Sequence, residues 1–97
     1  MQTKHKEAWI DFTDFGYEGY LPISVFEMEL LLAGAERMLE DYDAEAAELA
    51  IDKMCHDLWL TATTDKITHR WVTKAAMLIA LRGLQGNKIP DIVYLNE

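Results

Sequence analysis

The longest run of purely apolar residues in the chain, AAMLIAL at 75–81, places the strongest constraint on the fold. Seven residues cannot cross a bilayer, which requires about 20. The surrounding pattern predicts a helix from about Lys66 to Arg82, and a helix that is apolar on all sides is buried over most of its surface. We therefore expect a domain built around this helix, with Gly83 and Gly86 ending it.

A capping box predicts the start of a helix in the first half of the chain. In PISVFEM, residues 22–28, the Ser24 hydroxyl can accept a hydrogen bond from the backbone N–H of Glu27. The Glu27 carboxylate can in turn accept one from the backbone N–H of Ser24. The apolar stripe that follows predicts a helix to about Asp41. Gly34 lies on the packed side of this helix, where a small residue lets another helix approach closely, and the alanines at 75, 76 and 80 are the expected partners.

A second helix is predicted from Ala44 to about Leu60, with Asp43 as its N-cap. The polar, β-branched stretch at 61–65 then separates it from the central helix. Within that stretch, Thr64 or Asp65 is the expected cap of the central helix.

The two ends of the chain carry the β-type residues. WIDFTDF at 9–15 and IPDIVYL at 89–95 each predict a short strand, and FGYEGY at 15–20 predicts the turn into the first helix. Most of the aromatic rings of 9–20 are expected to cover the core, with at least one tyrosine exposed. We predict a mainly α (α+β) fold, a single domain over 1–97 with three helices and a two-stranded element. The alternative is an all-α four-helix domain in which 4–12 form the extra helix.

Acidic residues dominate the first half of the chain. The net charge is −8, and residues 10–61 hold thirteen acidic and two basic residues, whereas residues 62–88 hold five basic and one acidic. Such a surface attracts basic partners and repels nucleic acid, and it also keeps a protein soluble. Nucleic acid is therefore a less expected partner than a protein with a basic surface.

Residues that support catalysis or metal binding are scarce. Ser24, the only serine, is explained by its capping role, and Cys55 is the only cysteine. Cys55 and His56 are neighbours on a helix and point about 100° apart, so they do not face each other. Asp52 lies four residues before His56, and His69 on the next helix is a third candidate ligand, but no metal-binding motif is present. We expect no enzyme activity, no cofactor and no metal, and keep a metal- or thiol-dependent protein centred on Cys55 and His56 as an alternative.

These patterns favour a small non-enzymatic interaction module that binds a basic partner, including one that itself binds nucleic acid. Carboxylates in rows can imitate a phosphate backbone, and small inhibitors or adaptors from phages and other mobile elements are often acidic in this way. The expected contact residues are acids on the first two helices and two exposed tyrosines: Glu29, Glu36, Glu40, Asp41, Asp43, Glu45, Glu48, Tyr17 and Tyr20.

The main alternative uses the basic face of the central helix. Lys66, Arg70 and Lys74 recur every four residues, and a basic helix with an adjacent aromatic residue can bind nucleic acid. The competing interpretation is that this face is solvated or pairs with acids of the second helix.

The expected setting is the cytoplasm. The first nine residues lack the apolar run of a secretory signal, no stretch is long enough to span a membrane, and one cysteine cannot form an internal disulfide. A homodimer is expected, because the apolar share of 51% is high for 97 residues and Gly34 predicts close helix packing.

Overall fold

The computed structural model describes residues 6–61 and 68–95. Strand β1 spans Glu7–Asp11, a 3₁₀ turn spans Thr13–Phe15 and strand β2 spans Tyr20–Ser24. Helices α1, α2 and α3 follow at Val25–Asp41, Ala44–Thr61 and His69–Leu84, and strand β3 at Ile92–Leu95 ends the described chain. The predicted mainly α fold with a small β element is confirmed.

The sheet has three strands within the described residues, one more than predicted. The chain ends do pair, since β1 lies antiparallel to β3 with Trp9 opposite Val93. The additional strand β2 pairs with the other side of β1, with Pro22 opposite Trp9. Proline, which cannot donate a backbone hydrogen bond, is tolerated there because β2 is an edge strand. The all-α alternative is wrong, because residues 7–11 of its proposed extra helix form β1.

Strand β1 is shorter than predicted because the chain turns at Asp11. One carboxylate oxygen of Asp11 accepts hydrogen bonds from the backbone N–H and the hydroxyl of Thr13, at 3.0 and 2.6 Å. These bonds lower the pKa of Asp11, the hydroxyl bond most. After the 3₁₀ turn, Gly16 adopts a φ of +98°, a conformation that favours glycine.

The predicted caps of α1 and α2 are confirmed. The Ser24 hydroxyl accepts from the backbone N–H of Glu27 at 3.0 Å, and a carboxylate oxygen of Asp43 accepts from that of Ala46 at 2.8 Å. Helix α3 begins later than predicted, at His69, and its cap is Thr68. The predicted caps Thr64 and Asp65 lie outside the described residues.

Helix α3 lies between α1 and α2 and packs against both, as the apolar run predicts. One buried cluster lies between the sheet and the helices and includes Ile10, Phe12 and Trp71. The ring centroids of Phe12 and Trp71 are 5.3 Å apart. A second cluster joins the three helices around Ala35 and Leu78. Each large side chain buried in this way contributes roughly 1.5–3 kcal/mol to folding.

Three of the five aromatic residues of 9–20 cover the core, as expected, whereas Trp9 lies on the other face of β1 from Ile10 and donates a hydrogen bond to Glu7. Phe12 is fully buried, Phe15 and Tyr17 are half-buried against the first cluster, and Tyr20 is exposed. The opening segment of the chain is therefore mainly a structural cover.

The closely packed side of α1 contacts α3 of the same chain. Ala35 is fully buried in the second cluster, and Ala80 packs against that cluster. A methyl group on neighbouring Gly34 would lie 3.4 Å from the terminal carbon of Met77. Two of the expected partners, Ala75 and Ala76, belong to the first cluster instead.

Candidate protein-interaction groove

An apolar groove of about 480 Å³ opens between α1, α3 and β3. Its walls are formed by Val25, Met28, Leu31 and Leu32 of α1, by Ala76, Ile79, Ala80, Gly83 and Leu84 of α3, and by Ile10, Ile89, Ile92 and Tyr94 on the sheet side. Glu29 is the one charged residue among the described residues that line it. An exposed apolar groove of this kind is typical of a surface that binds another molecule.

The groove exists because β3 extends beyond the helices that cover the rest of the sheet. Ile10 on β1 and Ile23 on β2 are buried, whereas Tyr94 on the same face of β3 remains 45% exposed. Beneath β3, the surface of α3 presents small residues, Ala80 and Gly83, that leave the space open.

Three carboxylates lie on one side of α1, and the first of them is at the groove. Glu29 lines the groove, and Glu36 and Glu40 lie seven and eleven residues further on, about two and three helical turns away on the same side of α1. All three are exposed. We call these residues the acidic row; it begins at the groove and continues along α1 past Leu32, the last α1 residue that lines the groove.

Two of the other predicted acidic residues continue from the row: Asp41 follows Glu40 directly as the last residue of α1, and Asp43 caps α2. Glu45 and Glu48 border a separate shallow depression between α2 and the end of α3, where Glu48 accepts a hydrogen bond from Arg82. Glu45 and Glu48 are therefore placed at a different depression from the apolar groove.

The two predicted tyrosine contacts have structural roles. Tyr17 packs on the core, and the Tyr20 hydroxyl donates to a carboxylate oxygen of Asp91 at 2.8 Å. This hydrogen bond is the main reason that the pKa of Tyr20 is raised, and the charges of Asp91 and Asp11 add to it. Neither tyrosine lines the groove.

The basic face of α3 is only partly described. Arg70 is exposed and Lys74 is half-buried near the start of α3, and Lys66 lies outside the described residues. The competing interpretation pairs this face with Glu45, Glu48 and Asp52 of α2. Glu48 pairs instead with Arg82, at the opposite end of α3.

Cys55 and His56 both border a small recess of about 200 Å³, with Asp14, Asp52 and Arg82 among its other lining residues. Cys55 itself is only 5% exposed. Burial, and then the charge of Asp52, raise the pKa of its thiol to about 11, although Arg82 opposes this shift. A thiol with that pKa is protonated near neutral pH and is a poor nucleophile.

His69 does not join this recess. Its Nε2 lies 2.7 Å from a carboxylate oxygen of Glu27, and the pair links the first turn of α3 to that of α1. Over residues 6–61 and 68–95, no group of three or more His, Cys, Asp or Glu side chains is arranged to hold a metal ion. Within the same residues, no helix combines the length and apolar character needed to span a membrane.

Several groove residues, including Leu32, Leu84 and Tyr94, were not predicted as functional. Their exposure depends on where β3 lies relative to α1, which no local pattern specifies.

Comparisons of the chain with protein-family models, with curated proteins and with solved structures find no match.

Proposed function

We propose that this chain is a small non-enzymatic protein-interaction module, an adaptor or inhibitor, that binds a basic partner protein through the apolar groove and the acidic row. The observation that carries the proposal is an exposed apolar groove with Glu29 in its wall and with Glu36 and Glu40 further along the same side of α1.

The two parts of this surface have complementary physical roles. Burial of the groove walls against a partner contributes about 25 cal/mol for each Å² of apolar surface removed from water. The acidic row favours partners with basic residues at the matching border and raises the rate of association, and the net charge of −8 acts in the same direction at longer range. The same charge disfavours binding to a phosphate backbone, so nucleic acid remains the less favoured ligand.

Within this class we favour an inhibitor or adaptor from a phage or another mobile element that acts in the cytoplasm. The acidic row supports an inhibitor, because spaced carboxylates can occupy a surface that a nucleic-acid-binding partner uses for phosphates. The reduced, buried Cys55 fits a reducing compartment.

The test is capture of a partner from the native host, followed by binding measurements with the purified pair. Replacing Glu29, Glu36 and Glu40 by glutamine should weaken binding by about tenfold or more and reduce its dependence on salt. The matched control removes three charges elsewhere, with Asp14→Asn, Glu18→Gln and Glu45→Gln, and should bind nearly as well as the native chain. Equal binding by both variants would contradict the proposal.

A homodimer remains a prediction with less support than the sequence offered. The close-packing residues Gly34 and Ala35 contact α3 of the same chain, so they no longer indicate a second subunit. The exposed apolar residues that also motivated the prediction are present, but those of the groove are better explained by a partner of opposite charge.

A further inference from the structure

We infer that the groove accommodates one amphipathic α-helix of the partner, with its apolar stripe against α3 and β3 and its basic residues beside the acidic row. This inference rests on the proposed function and specifies the shape of the ligand as well as its charge.

The first argument is the incomplete layer of helices beneath the sheet. An apolar sheet face is normally covered by another element of secondary structure. Ile10 and Ile23 are covered in this way, whereas Ile92 is half-buried and Tyr94 is 45% exposed at the groove. A helix placed between β3 and α1 would complete the layer.

The second argument is the shape of the groove floor. Ala76, Ala80 and Gly83 are spaced by four and three residues and therefore lie along one side of α3. Ala76 is buried and the side chain of Ile89 lies 3.4 Å from the position of a methyl group on Gly83, so Ala80 is the small residue of this line that is open to a ligand. A small residue there lets the axis of another helix approach to the usual packing distance of about 8–10 Å.

The third argument concerns backbone hydrogen bonds. An extended peptide lying on the α1 and α3 walls of this groove would bury N–H and C=O groups against apolar side chains, at roughly 1–3 kcal/mol for each unsatisfied group. A helix satisfies these groups internally, so it can enter an apolar groove without that cost.

The fourth argument is charge, which distinguishes a partner helix from a second copy of this chain. Glu29, Glu36 and Glu40 favour positive charge on a ligand that lies along this side of α1. A second copy of this chain carries the same net charge of −8, which opposes self-association.

The inference can be tested on the full chain with designed peptides. The probe is a fluorescently labelled peptide of about 18 residues, long enough for five helical turns, with leucines on one face and lysines beside them. A peptide of the same composition in scrambled order has the same charge but no apolar face. Fluorescence anisotropy should show the amphipathic peptide binding about tenfold more tightly than the scrambled one.

Two variants locate the binding site. Ala80→Trp fills the groove and should weaken binding of the amphipathic peptide by about tenfold, while Ala46→Trp on the exposed surface of α2 is the matched control. Leu84→Gln alters a wall residue that is 40% exposed, so the fold should tolerate it, and it should weaken binding by at least about threefold.

Equal affinity for both peptides, or unchanged affinity in Ala80→Trp and Leu84→Gln, would overturn the inference. A native dimer that Leu84→Gln converts to monomer would also overturn it, because a second copy would then occupy the groove. If a captured partner is lost by the acidic-row variant and by both groove variants, but the amphipathic peptide binds no better than the scrambled one, the proposed function stands and the helix in the groove does not.

Discussion

The Nε of Arg82 on α3 donates a hydrogen bond to a carboxylate oxygen of Glu48 on α2 at 3.0 Å. Both side chains are about two-thirds buried, and the Arg82 guanidinium lies 5.7 Å from the ring centroid of Phe15. Glu48 therefore joins two helices, although its position in a run of acids predicts a contact for a basic partner.

We expect Glu48→Gln to lower the free energy of unfolding by about 1 kcal/mol, because it removes the charged acceptor of a partly buried pair. Glu45→Gln, an exposed neighbour on the same helix, should change the free energy of unfolding by no more than about 0.5 kcal/mol. Urea denaturation followed by circular dichroism measures both. Equal effects of the two substitutions would show that the Arg82 pair adds nothing to stability.

Cys55 provides a test of the buried thiol. With a pKa of about 11, raised first by burial and then by Asp52, its thiolate fraction at pH 8 should be about 100-fold below that of an ordinary thiol. Alkylation by iodoacetamide, followed by mass spectrometry, should therefore be at least that much slower in the native chain than in urea. Asp52→Asn should accelerate the native reaction, and equally rapid alkylation of the native and unfolded chains would instead identify Cys55 as an accessible, reactive residue.

The same thiol affects stability at high pH in a definite direction. Because its pKa is higher in the folded chain than in the unfolded chain, its protonated form is favoured by folding. The corresponding stability is fully present below about pH 9 and is lost as the pH rises toward 11. Cys55→Ala should remove this part of the alkaline loss of stability.

Tyr20 and Asp91 connect the start of β2 to the segment before β3 across the end of β1. The hydrogen bond from the Tyr20 hydroxyl raises its pKa, so the contribution to stability is present below the ordinary tyrosine pKa and is lost as the pH rises through the higher folded value. Tyr20→Phe should lower the melting temperature at pH 7 and reduce its decline above about pH 10. Thermal unfolding at a series of pH values measures this, with Tyr42→Phe on the exposed Tyr42 as the control. An identical alkaline decline in Tyr20→Phe and the native chain would exclude the proposed role of this bond.

The sequence predicts the helices well because their signals are local. Ser24 and Asp43 lie three residues before the N–H groups that they accept from, so the caps can be read without knowledge of the fold. The sequence does not predict strand β2, because the start of α1 already accounts for Pro22 and Ser24. A proline in an edge strand is recognisable only once the strand order is known.

The groove, and the partners of the acidic side chains, cannot be predicted in the same way. Glu48 and Arg82 are 34 positions apart, and only the packing of α2 on α3 brings them together. The exposure of Tyr94 likewise depends on how the helices of residues 6–61 and 68–95 leave part of β3 uncovered, although the four apolar, mostly β-type residues of 92–95 do predict a strand.

Adjacent small residues in α1 allow a last prediction about the contact between α1 and α3. Ala35 is fully buried, so Ala35→Leu must force the two helices apart and should cost about 1–3 kcal/mol. At Gly34 an added methyl group would meet only the flexible end of Met77, at 3.4 Å, so the gain in helix propensity of up to about 1 kcal/mol should largely remain in Gly34→Ala. Urea denaturation should therefore show Gly34→Ala to be as stable as the native chain or more stable, and Ala35→Leu to be clearly less stable. The opposite order would mean that Gly34, and not Ala35, sets the distance between α1 and α3.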